Sequence, residues 1–218
     1  MIIAIDGPAG SGKSTTAKLL ADKLGFIYLD TGAMYRAVTF YFLNNSIDIY
    51  DLHKIDKSLE NIDLKIDSSH NIFKVFLNNK DISDKIRSQK INDTVSAISK
   101  IAKVRKKMVN IQRNFSKNRN VVIEGRDIGS YVFPEAEFKF FLVADIFERA
   151  KRRLNEMVDS APITLSDLVL KLEKRDKIDS NRKISPLIKA DDALKIDTTS
   201  LSINEQVEKL YNIVTNNK

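Results

Sequence analysis

The sequence predicts an α/β fold in which a parallel β-sheet is flanked by helices and carries a small antiparallel insertion. Three observations predict it. Short continuous apolar runs alternate with stretches of helical spacing along most of the 218 residues, the pattern of strands buried on both faces and covered by helices. A glycine-rich turn joins the first apolar run to the first helix, as in sheets that bind ligands at the ends of their strands. Between residues 59 and 89 the texture changes to period-two alternation with turn residues between, which an antiparallel hairpin requires.

Ile2 to Asp6 reads as a short buried strand, because a continuous apolar run ends in a turn rich in glycine, proline and serine. Thr15 to Leu24 has helical spacing, with Ala17, Leu20, Ala21 and Leu24 on one face and Gly25 as its stop. Phe26 to Leu29 is a second strand and Ala33 to Leu43 a helix. In the insertion, Leu64-Lys65-Ile66-Asp67 and Phe73-Lys74-Val75-Phe76-Leu77 alternate, with turns at Ser68-Ser69-His70-Asn71 and Asn78-Asn79-Lys80-Asp81. Val104 to Phe115 lies in a longer amphipathic helix that begins near Asn92. Val121 to Ile123 and Phe138 to Val143 are buried strands, Ala193 to Asp197 is the last strand, and a helix follows from about Ile203. The expected organisation is one domain with a core of about 1–58, 90–145 and 183–218, the insertion at about 59–89, and a helical lid at about 146–182.

Composition narrows the function classes. The strongly apolar stretches, such as Phe138 to Ala144, are far shorter than the roughly 18 residues of a membrane span. Met1 to Ile5 carries no basic leader, so the cytoplasm is the expected compartment. Cysteine is absent, which removes disulfides, thiolate metal sites and cysteine nucleophiles together. His53 and His70 stand alone in polar sequence and read as surface residues rather than metal ligands. The formal charge of +7 suits nucleic acid or small polyphosphates alike. Its makeup is more informative: 25 of the 36 cations are lysine and only 11 arginine. Arginine grips phosphate through a rigid fork, so its positions in a lysine-rich chain point to sites.

The turn Gly7-Pro8-Ala9-Gly10-Ser11-Gly12-Lys13-Ser14-Thr15 matches the phosphate-loop pattern G-x-x-x-x-G-K-[ST] in its required context, after a strand and opening a helix. Its glycines let backbone amides face phosphate oxygens, and the helix start adds about half a positive charge. Lys13 is expected to neutralise the β- and γ-phosphates of ATP, and the Ser14 hydroxyl to ligate Mg2+. Two further strand ends carry unusual turns: Asp30-Thr31-Gly32-Ala33-Met34-Tyr35-Arg36, and the charged triplet of Glu124-Gly125-Arg126-Asp127-Ile128-Gly129. A tyrosine and arginine at a helix start are ordinarily surface packing, and an Arg-Asp neighbour pair is ordinarily a weak surface contact. Position at the carboxyl ends of strands favours a ligand crevice instead. Glu148-Arg149-Ala150-Lys151-Arg152-Arg153 would elsewhere be a solvated helix face; beside a phosphate loop it reads as a lid that excludes water and supplies charge.

These strings, together with Arg175-Asp176, Asp179, Arg182 and Pro186-Leu187 at their spacing, resemble the bacterial cytidylate kinases in order and position from end to end of the chain. The resemblance implies a P-loop kinase fold and transfer of the ATP γ-phosphate to CMP or dCMP. It implies that Thr31, Tyr35 and Arg36 border the cytidine nucleotide, with Arg36 reaching its phosphate. Arg105, Arg126 and Asp127 would contact base or phosphate, Ser96, Arg175 and Asp179 the sugar, and Arg182 the base or transferring phosphate. Lys13, Arg126, Arg149, Arg153 and Arg182 would serve catalysis. Two positions differ from the family pattern, Thr31 where serine is frequent and Glu124 where aspartate is frequent, and neither removes a functional group. Cytosine offers an N4 amino donor beside the N3 and O2 acceptors, so its reader needs a carboxylate next to a cation, as Asp127 and Arg105 supply. The expected partners are the small molecules ATP and CMP or dCMP, with no nucleic acid, no membrane and a monomeric chain. Another small-substrate P-loop kinase is the second enzymatic reading. A nucleic-acid binder that uses ATP as a switch is the third, and the chain lacks the aromatic-rich basic stretches of single-strand binders.

Overall fold

The computed structural model describes residues 1–69, 72–156 and 163–216. In chain order the elements are β1 (Ile2–Asp6), α1 (Lys13–Leu24), β2 (Ile27–Asp30), α2 (Thr31–Asn44), α3 (Leu52–Glu60), β3 (Leu64–Ser69), β4 (Ile72–Leu77) and β5 (Lys80–Asp81). They continue with α4 (Gln89–Ile98), α5 (Ala102–Ser116), β6 (Val121–Gly125), β7 (Phe138–Val143), α6 (Ile146–Asn155), α7 (Leu165–Ser180), β8 (Leu194–Asp197) and α8 (Ile203–Asn216). A five-stranded sheet runs in the order β2-β6-β1-β7-β8 with every neighbouring pair parallel, and β3-β4-β5 form a separate antiparallel sheet. The two sheets have the expected direction and place. Ser68 and Ser69 of the expected hairpin turn continue β3; His70 and Asn71 lie outside the described residues, as does Pro162 between α6 and α7.

The period-two split of each central strand builds two cores. Ala4, Val121 and Ile123 face a layer containing Met34, Val38, Phe42, Ile98, Val104 and Met108 from α2, α4 and α5. Ile3, Ile5, Val122, Phe140 and Leu142 face the opposite layer, where Leu20 of α1 and Leu210 and Val214 of α8 close over them. These strands are apolar on both faces because both faces are covered. The sheet's carboxyl edge thereby gathers the turns after β1, β2 and β6 along one rim, as strand order dictates.

Two expectations need correction. The long helix from Asn92 is two helices, α4 and α5, separated at Ser99 to Ile101. Ile101 takes an extended conformation, and the Ser99 hydroxyl turns back onto the Ser96 carbonyl at 3.1 Å. The break leaves the Ser99 carbonyl available to the Arg105 guanidinium at 3.3 Å, a contact between residues too far apart for local spacing to reveal. The second is α3, which was not anticipated. It starts at Asp51, whose carboxylate accepts the Lys54 amide at 3.0 Å, and buries Ile55 and Leu59. At nine residues its apolar face is too short to stand out as a periodic pattern.

Helices α6 and α7 pack directly on the phosphate loop. Ala150, Leu168 and Leu172 form a small apolar cluster around Ala9. Gly10 has φ +75°, and a β-carbon on it would stand 3.1 Å from the Arg149 β-carbon and carbonyl oxygen, so the close approach of α6 requires glycine there.

Candidate active site

The rim turns and helices α6 and α7 border a cleft of about 940 Å³. One end is walled by Gly10, Gly12, Lys13, Ser14 and Thr15, the other by Thr31, Tyr35, Arg36, Ser96, Arg126, Asp127, Arg175, Asp179 and Arg182. Gly7 has φ +151° and a β-carbon there would lie 2.2 Å from the Leu142 carbonyl oxygen; only glycine lets the chain leave β1 against β7. Gly7, Pro8 and Ser11 shape the turn from behind rather than wall the cleft.

Lys13 opens α1 with only 5% of its surface exposed, and its ammonium donates to the Pro8 carbonyl at 2.8 Å. Burial, reinforced by the nearby Arg126 charge, pulls its pKa down to about 7. The Ser14 hydroxyl donates to Glu124 Oε1 at 2.5 Å. Glu124, the last residue but one of β6, is 4% exposed, and burial together with the neighbouring Asp30 carboxylate pushes its pKa up. This carboxylate, marked in the sequence as part of the third strand-end turn and as a departure from the family pattern, is thus placed against the phosphate loop.

At the opposite end, Asp30 caps α2 by accepting the Ala33 amide at 2.8 Å and draws Arg36 to 3.7 Å. The Thr31 hydroxyl donates to the Glu124 carbonyl at 2.8 Å, tying the second strand turn to the third. Arg126 donates through Nε to Asp179 at 2.9 Å, and Arg182 pairs with the other oxygen of the same carboxylate. Burial would raise Asp179, but Arg126, Arg182 and Arg175 outweigh it and hold the carboxyl below its usual range. Arg175 is pulled down to about 10 by burial and then by Arg126. The guanidinium cluster is therefore short of counter-charge, and Tyr35 OH, Arg175 Nε and Arg182 Nε are buried without a hydrogen-bond partner among the described residues. Buried donors in that condition suit a polyanionic ligand.

Arg105 and Arg149 lie elsewhere than at the cleft wall. Arg105 is 2% exposed, paired with Asp127 and stacked 5.5 Å from the Tyr35 ring, so it stands behind Asp127. Arg149 donates to the Ala9 carbonyl at 3.0 Å and to Asp176 at 2.5 Å, while Asp176 accepts the Ala9 amide at 3.3 Å. It fastens α6 and α7 to the phosphate loop. Arg152 likewise binds the Thr198 carbonyl at 2.6 Å, and Arg153 lines the cleft beside Glu156. Arg87, left outside the motifs in sequence, reaches the cleft within 4.0 Å of Asp30. Its signal was available only as an arginine in a lysine-rich chain. No group of three His, Cys, Asp or Glu side chains among the described residues is arranged to hold a metal ion, and no helix among them is long and apolar enough to cross a membrane.

The same architecture recurs among proteins of known sequence and structure. A solved structure of an uncharacterized protein from Eubacterium ventriosum superposes with a TM-score of 0.53 over 99% of this chain and 98% of that one, at 14% identity, a likeness of fold alone. A cytidylate kinase of Fusobacterium nucleatum is 51% identical over 208 residues, covering 95% of this chain and 94% of that relative. A cytidylate kinase of Bacillus subtilis is 46% identical over 213 residues, covering 97% and 95%. With the cytidylate kinase profile also matching residues 3–216, the chain belongs to the cytidylate kinase family.

Proposed function

We propose that the protein transfers the γ-phosphate of ATP to CMP or dCMP, giving CDP or dCDP by in-line attack of the acceptor phosphate. The carrying observation is the single cleft that has a phosphate loop at one end and the Arg36, Arg126, Arg175 and Arg182 cluster at the other. Two phosphate-binding ends facing one cleft bring donor and acceptor phosphates together, which supplies much of the rate by positioning. The attacking phosphate oxygen is already ionised at neutral pH, so the residues need to orient and neutralise rather than deprotonate. Lys13 holds the β- and γ-phosphates, Arg36 and Arg126 place the acceptor, and Arg153, Arg175 and Arg182 face charge spreading over the moving group. Arg149 acts in this scheme through the loop carbonyl and Asp176 that it holds.

The donor set fits Mg2+: a serine hydroxyl and a buried carboxylate are hard oxygen ligands, and this ion is held by one or two carboxylates together with substrate phosphates. Ser14 and Glu124 would hold it, directly or through water, and when bound it would neutralise negative charge on the nucleotide phosphates. The base is read by Asp127, aimed by Arg105 behind it, with Thr31, Tyr35 and Ser96 bordering the nucleotide and Asp179 fixing the arginines. The helical lid of about 146–182 and the insertion of about 59–89 close the cleft over substrates on a monomeric core, in the cytoplasm.

A coupled ADP-release assay with CMP, dCMP, UMP, AMP and shikimate tests the reading. CMP and dCMP are expected to lead by about tenfold or more; CMP no better than AMP would sink it, and a different leading acceptor would establish the second enzymatic reading.

Lys13 adds a pH prediction. With its pKa lowered to about 7 before ATP arrives, part of the population is neutral, whereas bound phosphates favour the ammonium. ATP binding therefore takes up a proton, and affinity falls as pH rises above 7, by at most tenfold per unit. Calorimetry without Mg2+, so that Glu124 is not drawn into the exchange, in buffers of different ionisation enthalpy measures this uptake. Uptake that is the same in Lys13→Ala contradicts the assignment.

A further inference from the structure

The residue that ends β1, Asp6, makes no contact with the cleft, yet its carboxylate spans from the phosphate loop to the acceptor side. It is 5% exposed and accepts the Ile128 amide on one oxygen at 2.9 Å and the Gly129 amide on the other at 2.8 Å. Those are the first two amides of the π-helical turn Ile128–Val132, which directly follows Asp127. An aspartate that precedes a helical turn ordinarily caps it with its own carboxylate. Asp127 does not: it makes no side-chain cap, and its carboxylate is turned to Arg105. Only its main-chain carbonyl joins the turn, accepting from Tyr131 at 2.9 Å and Val132 at 3.0 Å. The parallel register opposes Asp6 to Gly125, which brings the substitute cap within reach of residues more than a hundred positions away in sequence.

We propose that Asp6 is a positioning residue for the acceptor nucleotide: by capping the turn in place of Asp127, it leaves the Asp127 carboxylate free to face the cleft. The inference rests on the acceptor role given to Asp127 above. Both carboxylate oxygens are engaged by buried amides, and without them two buried donors need another acceptor. The carboxylate adjacent in sequence is that of Asp127, so loss of Asp6 draws the base-reading group back onto its own turn. Because Asp6 also borders Gly7, a purely local packing role would disturb the ATP side equally.

Asp6→Asn tests this. Its amide presents one acceptor and one donor to two N–H groups, so one amide loses its partner. The expected result is a KM for CMP raised by about tenfold or more with weakened preference for CMP over UMP, while the dissociation constant for ATP stays within about twofold. Asp6→Glu keeps both oxygens and is expected to show a smaller rise, also confined to CMP. If the asparagine variant does not fold, the glutamate variant decides alone. Equal changes toward CMP and ATP, or no change toward either with only a lower melting temperature, overturn the positioning role. Wild-type protein that favours CMP while Asp6 variants behave normally refutes this inference alone; wild-type protein that fails to favour CMP refutes the reading beneath it.

Discussion

Lys13→Ala is expected to lower kcat with both CMP and dCMP by about 10²–10³-fold, the loss that follows removal of one preorganised charge donor from a transition state. The geometry makes this a loss of chemistry rather than of folding. Lys13 is 5% exposed, and burial with Arg126 close by lowers its pKa to about 7, so the native environment opposes its ammonium form. Within the protein its Nζ has the Pro8 carbonyl, and the Glu124 and Asp176 charges oppose the shift without cancelling it. Truncation removes a desolvated cation, and the melting temperature is expected to stay level or rise, as at other sites where function holds an unfavourable group in place. Lys13→Arg should not restore turnover, because a planar fork does not replace a compact ammonium in a loop this tight. Steady-state kinetics beside thermal melts check both halves. A fall in melting temperature that parallels the fall in kcat would assign Lys13 to the fold instead.

How much of this was legible in the sequence depended on range. Strands and helices that carry their own periodicity, such as Ile2–Asp6 or Phe138–Val143, emerged from local pattern within a residue or two of their ends. The phosphate loop was legible because its chemistry demands glycines and a lysine at fixed spacing. The junction between α4 and α5 was not, since Ser99 to Ile101 contains no glycine or proline, and the carbonyl it frees is used by a side chain folded back from α5. The site divided along the same line. Residue identities at the strand ends were readable, but their partners were set by strand order, which puts β6 between β1 and β2. Glu124 against Ser14 and Asp6 under the turn after Asp127 join segments brought together by that order, whereas Asp179, three residues from Arg182, reaches Arg126 from α7, outside the sheet. The withdrawal of Arg105 and Arg149 from the cleft wall has the same cause: each is held by a carboxylate from another element, Asp127 and Asp176. Composition could mark arginines as probes of function, not say which of them hold other residues in place.

Asp127→Ala is expected to cost both stability and use of the cytidine substrate, and the two losses can be separated. Its partner Arg105 is 2% exposed, and without the carboxylate the guanidinium keeps only the Ser99 carbonyl at 3.3 Å and the face of Tyr35. Breaking a buried pair from one side leaves an uncompensated charge, a cost of about 3–5 kcal/mol. For a chain of this size that corresponds to a fall in melting temperature of roughly 6–20 °C. Recognition should fall independently, with kcat/KM for CMP reduced by about a hundredfold and ATP affinity nearly unchanged, because a buried base donor left unpaired costs about 1–3 kcal/mol, or more beside a charge. The double variant Arg105→Leu with Asp127→Ala removes the orphaned guanidinium and replaces the pair with apolar packing against Tyr35. Buried pairs exchanged whole for hydrophobic groups are often neutral or better, so the double variant should recover most of the lost stability. It should not recover CMP use, since neither leucine nor alanine accepts the cytosine amino group. Recovery of both properties together would make Arg105 and Asp127 a structural pair, and the base reader would have to lie elsewhere in the cleft.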